Sequence, residues 1–264
     1  MRDGRPSFTA RWIAAHRAGL AGSRPCTPTG NPEAERRLYA GMGSGLRLPG
    51  LAPTGLVERT HFIDNEVARA IGAGIEQVVI IGAGYDGRAL RFGGGMTRWI
   101  EVDYPATQAD KRQRLAALGI EPGPAVAYAG LDLLRDDVAT ALDAAGHDPG
   151  APSLFICEGL LAYLPLEVCA GLSETLRARA TAQSVLALNV RVVAPAGQLT
   201  QVWRRSLDQL FARLGEARRV NFEPGDIEKL LTVTGWRLVR SQTSGGHRLD
   251  RGTASGLVLA AQPA

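Results

Sequence analysis

Three carboxylates stand where apolar runs give out, at spacings that suit successive strands. Asp103 closes the run 98–102, Asp132 follows the run 125–129, and Glu158 follows 153–157. A fourth run, Val78-Val79-Ile80-Ile81, leads into Gly82-Ala83-Gly84-Tyr85-Asp86-Gly87-Arg88. Apolar residues without polar alternation suit a strand covered on both faces, as in the middle of a parallel sheet. Gly82 and Gly84 let the backbone turn sharply and approach a ligand with no Cβ in the way. A glycine turn and acids at the carboxyl ends of parallel strands are the groups that hold a nucleotide-like cofactor.

Gly82-x-Gly84-x-x-Gly87 matches the dinucleotide fingerprint, and Asp103 follows at about the ~20-residue spacing of its ribose-binding acid. Asp86 argues against a dinucleotide, because a carboxylate inside the loop repels a pyrophosphate at close range. S-adenosylmethionine has no phosphate, and its sulfonium and amino groups suit an acidic loop. The loop chemistry leans toward this methyl donor. Asp103 is the expected ribose ligand; Glu101, two residues earlier, should point to the same side and is the alternative. Asp132-Leu133 is placed to meet an adenine, and Glu158 lies beside the expected methionine part.

The elements that position these groups alternate. Helices are expected at 8–21, from Asn31-Pro32 onward, and at 58–73, 106–118, 135–145 and 165–180. Asn31 followed by Pro32 and two acids reads as an N-cap and a first turn suited to the helix dipole. Strands are expected at 77–82, 98–103, 125–129, 153–157 and 184–190, which implies a parallel sheet with helices on both faces. The tail breaks the alternation, with a helix at 198–214, a short helix after Pro224-Gly225-Asp226, and two consecutive strands at 236–242 and 255–261. Those strands imply a hairpin, giving an α/β fold of the class I methyltransferase, Rossmann-like kind. Its seven-stranded sheet is mostly parallel with an antiparallel C-terminal hairpin. The expected organisation is one domain: a helical cap over 1–55, a cofactor-binding core over 56–190, a helical substrate lid over 191–232 and the hairpin over 233–264.

Composition narrows the class. The chain has 264 residues, 45% of them hydrophobic, enough for one well-buried core. The formal charge of +4 comes almost wholly from arginine interleaved with acids, so neither a nucleic-acid nor a membrane partner is expected. No apolar stretch approaches the ~20 residues of a membrane span. The N-terminus lacks the apolar core of a signal peptide, so the expected location is cytoplasmic. Cys26, Cys157 and Cys169 lack metal-ligand spacing and read as thiols; no metal is expected.

Several motifs occur in order: Arg59-Thr60-x-x-Ile63-Asp64, Gly82-Ala83-Gly84-x-Asp86-x-Arg88, Glu101-Val102-Asp103-x-Pro105, Asp132-Leu133 and Glu158-Gly159-x-x-x-Tyr163-Leu164. Together they resemble the leucine carboxyl methyltransferase family, and most of all its bacterial members similar to tetracenomycin-type polyketide carboxyl methyltransferases. The resemblance implies that Arg59 pairs with the cofactor's carboxylate and that Gly82 lines the methionine turn. It also implies that Asp103 holds the ribose, that Asp132 and Leu133 frame the adenine, and that Glu158 contacts the methionine moiety. The family's N-terminal basic residue aligns with Arg11. Gly87 stands where the family has Thr, and Asn31 stands in an expected Asp-Pro.

The implied reaction is methyl transfer to a carboxylate of a small natural-product or polyketide-like acid. A carboxylate with a pKa of about 4 is already ionised at neutral pH and needs no general base, so no catalytic residue beyond positioning groups is required. Tyr163, Asn189 and Arg191 are the candidate substrate contacts, and the stripe Leu199, Val202, Trp203, Leu207, Leu210 and Phe211 is the candidate roof. A phenol would need a base, for which His61 and His247 are the candidates. The alternatives are a phenol or peptide C-terminal O-methyltransferase, an NAD(P) oxidoreductase, and a cofactor-binding module without catalysis.

Overall fold

Strand β1 (Gln77–Ile81) lies at the centre of the molecule, and all five of its residues are buried. Pleating sends alternate side chains to opposite faces. Val79 and Ile81 enter one apolar core with Phe155 and Leu188, whereas Val78 and Ile80 enter a second with Ile63 and Val67. A strand that must be covered twice needs strands at both edges and helices on both faces. The computed structural model describes residues 4–20, 24–43, 53, 55–123, 125–193, 219–220, 222–223, 225–244 and 254–264.

The other strands are β2 (Arg98–Asp103), β3 (Val126–Gly130), β4 (Ser153–Cys157), β5 (Val185–Val193), β6 (Trp236–Ser244) and β7 (Ala254–Pro263). They form one sheet in the order β3-β2-β1-β4-β5-β7-β6. The first five pair in parallel, and β7 runs antiparallel to both β5 and β6. The antiparallel C-terminal pair expected from the sequence is therefore present, with β7 lying between β5 and β6. Strand order reverses between β1 and β4, and the crevice outside the carboxyl ends of these strands is where such sheets bind ligands.

Helices cover both faces. They are α1 (Phe8–Arg17), α2 (Pro32–Ala40), α3 (Leu56–Gly72), the single turn α4 (Arg88–Arg91), α5 (Pro105–Ala117), α6 (Val138–Ala144), α7 (Leu166–Ala178) and α8 (Asp226–Val233). Helix α3 buries Ile63 and Val67 on one face of the sheet. Leu172 and Leu176 of α7 and Ile227 and Leu231 of α8 fill the other. Asn31 caps α2 as expected, its Oδ1 accepting the Ala34 N–H at 2.9 Å.

Two helix boundaries moved by three residues or more. Helix α1 stops at Arg17 and tightens into a 3₁₀ turn over Ala18–Leu20. Helix α6 starts only after Asp137, because the preceding acids fold a turn of their own. There the Asp132 N–H donates to Asp136 Oδ2 at 2.7 Å, and Asp132 Oδ1 accepts from the Leu134 N–H at 3.0 Å.

Helices α1 and α2 build a third apolar cluster in which Ala14, Ala15, Leu38 and Tyr39 pack with Tyr85 and Leu90. The N-terminal helices thus dock on the segment that carries the glycine turn. The helix expected over 198–214 and His247 lie outside the described residues. Among the described residues no helix is long and apolar enough to cross a membrane, and no group of three or more His, Cys, Asp or Glu is arranged to hold a metal.

Candidate active site

Beyond Ile81 the chain turns at Gly82 (φ +70°) and Gly84 (φ +50°), a left-handed backbone that glycine adopts without strain. Space is as tight as the backbone. A Cβ on Gly82 would lie 3.0 Å from Leu160 Cδ1, and one on Gly84 would lie 2.9 Å from Ala10 Cβ. The turn is pressed between α1 and the loop that follows β4. Beside it is a cavity of about 320 Å³, at the small end of the roughly 300–1,000 Å³ of ligand pockets.

Arg59, Gly82, Gly84, Asp103, Asp132, Leu133, Glu158 and Tyr163 all line this cavity. Residues from α3 and from the ends of β1, β2, β3 and β4 thus meet at one place. Asn189 and Arg191 are not among its lining residues. Asn189 instead steadies the loop after β4, its Oδ1 accepting the Gly159 N–H at 2.6 Å. The Arg191 carbonyl accepts the Phe222 N–H at 3.2 Å.

The two acids of β2 have separate tasks. Asp103 Oδ2 accepts the Gly84 N–H at 2.5 Å and Oδ1 accepts the Tyr104 N–H at 2.7 Å, so its carboxylate is fixed at the rim of the turn. Glu101 is buried under α5 and paired with Lys111, whose Nζ also donates to the Asp86 carbonyl at 2.6 Å. Burial raises the Glu101 pKa, with Lys111 opposing. Glu101 therefore does not reach the cavity, and Asp103 is the acid that does.

Glu158 is the centre of a buried ion network. Its carboxylate accepts from Arg59 Nε at 2.7 Å, from Arg88 Nη1 at 2.7 Å and from Arg17 Nη2. Burial alone would raise the Glu158 pKa, but the guanidiniums of Arg17, Arg88 and Arg59 hold it well below the carboxylate range. Burial and the nearby Arg17 and Arg88 charges lower Arg59, against the attraction of Glu158. Arg88 continues inward to Asp64 (2.6 Å) and Asp86 (2.5 Å). Arg24 joins Asp64 (2.5 Å) to Glu35 (2.9 Å), and Arg91 also pairs with Glu35 (2.5 Å).

Five guanidiniums thus share four carboxylates. Arg17 Nε and Arg88 Nη2 are buried without a hydrogen-bond partner among the described residues. An unbalanced buried cation is costly, and a ligand carboxylate at the Arg17–Arg59 end would offset it. The donor set fits the methionine end of S-adenosylmethionine. Asp86 reads differently here than in the sequence. Its carboxylate is taken up by Arg88 and faces Arg17 at 3.7 Å, so its charge is compensated and says little about phosphate.

Arg17 and Arg219 line the cavity although the sequence reading gives neither a role, and the family's N-terminal basic residue aligns with Arg11 instead. Arg11 does not line the cavity, whereas Ala10, Ile13, Ala14 and Arg17 do. These four follow the i, i+3, i+4, i+7 spacing of one helix face. Two alanines on that face let α1 approach the glycine turn closely enough for Arg17 to reach Glu158.

Residues 22–177, more than half of the chain, match the family model described as leucine carboxyl methyltransferase. A protein of Mycolicibacterium gilvum, provisionally named an S-adenosyl-L-methionine-dependent methyltransferase, is 40% identical over 136 residues, 51% of this chain and 44% of its own. A Mycobacterium avium protein with the same provisional name is 35% identical over 184 residues, 68% of this chain and 58% of its own. The chain spans about half the length of the curated relatives it matches.

Among solved structures, a DUF574 family protein from Streptomyces avermitilis aligns with a TM-score of 0.62 at 18% identity, covering 99% of both chains. Magnesium protoporphyrin IX methyltransferase from Synechocystis, solved with bound SAH, aligns with a TM-score of 0.54 at 19% identity, covering 88% of this chain and 93% of its own. Such likenesses show the fold. This chain belongs to the leucine carboxyl methyltransferase family, has the class I methyltransferase fold, and is matched to relatives named for the cofactor S-adenosyl-L-methionine.

Proposed function

We propose that the protein is an S-adenosylmethionine-dependent O-methyltransferase that esterifies a carboxylate of a small acid of the natural-product or polyketide-like kind. The observation that carries this reading is the union of a glycine turn, Asp103 and a surplus of buried guanidinium charge around one cavity at the switch point of the sheet. Membership of the leucine carboxyl methyltransferase family supports it. In this reading Arg59 and Arg17 hold the cofactor's carboxylate, and Glu158 keeps both arginines aimed. The backbone of Gly82 and Gly84 lies against the methionine part, and Asp103 accepts from ribose hydroxyls. Asp132 accepts from the adenine amino group while Leu133 packs on the ring. The N-terminal helices cap this assembly.

The bound cofactor supplies an electrophilic methyl group on a sulfonium. An acceptor carboxylate attacks in line: the new O–CH₃ bond forms, the S–CH₃ bond breaks with its electron pair left on sulfur, and no proton changes place. The protein's task is to align oxygen, carbon and sulfur and to exclude water. The described lining residues include arginines, acids and tyrosines but no His, Lys or Cys, a set suited to an acceptor that arrives ionised.

The test is calorimetric titration with S-adenosylmethionine, S-adenosylhomocysteine and NADH, on the protein and on Arg59→Ala and Asp103→Ala. Binding of both adenosyl ligands, weakened in each variant and absent for NADH, is the expected result. Binding of NADH alone would overturn the reading. Methyl transfer to acids should then show kcat/KM independent of pH between about 6 and 8; a rate that climbs with pH would point to a phenolic acceptor.

A further inference from the structure

Three arginines line the cavity, and they are not alike. Arg17 is buried, Arg59 is half-buried, and both are committed to Glu158. Arg219 is exposed, and its guanidinium has no ion-pair or hydrogen-bond partner among the described residues. Its main chain, by contrast, is held on both sides. The N–H groups of Arg219 and Val220 donate to the Ala162 carbonyl at 2.7 and 3.3 Å. Three residues on, Phe222 is 2% exposed in the core, bridges to Val192 and donates its N–H to the Arg191 carbonyl at 3.2 Å. The segment is thus tied to the end of β5 and to the 3₁₀ turn of Leu161–Tyr163. This places an uncommitted cation at the lip of the cavity on the β4–β5 side, away from Asp103 and Asp132.

We propose that Arg219 is the residue that selects an anionic acceptor, by pairing with one oxygen of the acceptor's carboxylate. This deepens the methyltransferase reading and rests on it. A guanidinium whose backbone is already held pays only its side-chain rotamer entropy on pairing, and its planar fork matches a carboxylate. It engages one oxygen and leaves the lone pair of the other to attack the methyl group. Tyr163, one residue beyond the carbonyl that anchors Arg219, and Leu160 supply the wall for the acceptor's apolar body. Acceptors without the charge, such as the corresponding amide, are then disfavoured by leaving the cation unpaired.

The experiment measures, by calorimetry, binding to the full chain saturated with S-adenosylhomocysteine. The probes are 2-naphthoate, salicylate and N-acetyl-leucine, each beside its carboxamide. Wild type should prefer at least one carboxylate. Arg219→Gln should weaken that carboxylate by about tenfold or more, the scale of a charge-assisted hydrogen bond. The same variant should leave the carboxamide and S-adenosylhomocysteine unchanged, and Arg219→Lys should restore part of the preference. An Arg219→Gln protein that keeps the full preference overturns the proposal. So does a wild type that binds none of the carboxylates better than its amide. Failure of wild type to bind S-adenosylhomocysteine would instead sink the cofactor reading beneath it, which separates the two failures.

Discussion

Arg59 Nε and Glu158 Oε1 lie 2.7 Å apart, joining helix α3 to the end of strand β4 at the wall of the cavity. Arg17 and Arg88 hold the same carboxylate, so Glu158 stays paired when Arg59 is removed. Arg59→Ala should therefore fold with a melting temperature close to wild type. Its affinity for S-adenosylhomocysteine should drop by about tenfold or more, the loss of a hydrogen bond between charged groups. Calorimetry alongside a thermal melt checks both halves. An unchanged affinity would remove Arg59 from the binding site.

Arg88 is structural as much as local. Its side chain is completely buried and meets Asp64, Asp86 and Glu158. Arg88→Met would leave three carboxylates short of a partner, Asp64 among them with no exposed side-chain surface. Removing one partner of a buried ion pair costs about 3–5 kcal/mol, a large share of the roughly 5–15 kcal/mol that holds a domain together. The urea midpoint should fall accordingly. A midpoint within a few tenths of a molar of wild type would show that the network relaxes around the loss.

Gly84→Ala tests how closely α1 sits on the turn. A left-handed alanine costs roughly 1–2 kcal/mol by itself, and its Cβ would also meet Ala10 Cβ at 2.9 Å. The steric part should be relieved in the double variant with Ala10→Gly, and the backbone part should not. A double-mutant cycle on the urea midpoint is expected to show coupling between the two positions. Strict additivity would mean that α1 does not bear on Gly84.

His147 gives the fold a pH dependence far from the cavity. Its Nδ1 accepts from Arg179 Nε at 3.3 Å, so the neutral ring carries its proton on Nε2 and donates to Ser153 Oγ at 3.0 Å. Burial, then the Arg179 charge, lowers its pKa to about 4 from the ordinary 6.5. Between those values the unfolded chain binds the proton and the native one does not. Stability must rise with pH through this window and fall as the solution is acidified from about 6.5 toward 4. Melting temperatures taken from pH 7 down to pH 4.5 should decline, and His147→Gln should flatten that decline. An identical slope in the variant would assign the acid sensitivity elsewhere.

The central strand was legible because Val78, Val79, Ile80 and Ile81 have no polar alternation, and only a position covered on both faces satisfies such a run. Gly82 and Gly84 announced the turn for the same local reason. The C-terminal pair of strands declared itself by the absence of a helix between them. These features depend on a residue and its immediate neighbours in sequence. The partners of the charged groups did not follow from sequence. Glu101 and Asp103 share a strand face, yet Lys111 of α5 captures the first and the Gly84 N–H the second. Arg11 and Arg17 share a helix, but only Arg17 lies on the alanine face that meets the turn. Arg191 is the cationic candidate that the sequence offers at the end of β5, whereas the backbone bonds to Ala162 bring Arg219, which no motif marks, to the lip. A long charged side chain takes its partner from whatever the packing of distant elements sets within its reach, and that is decided only when helices and sheet come together.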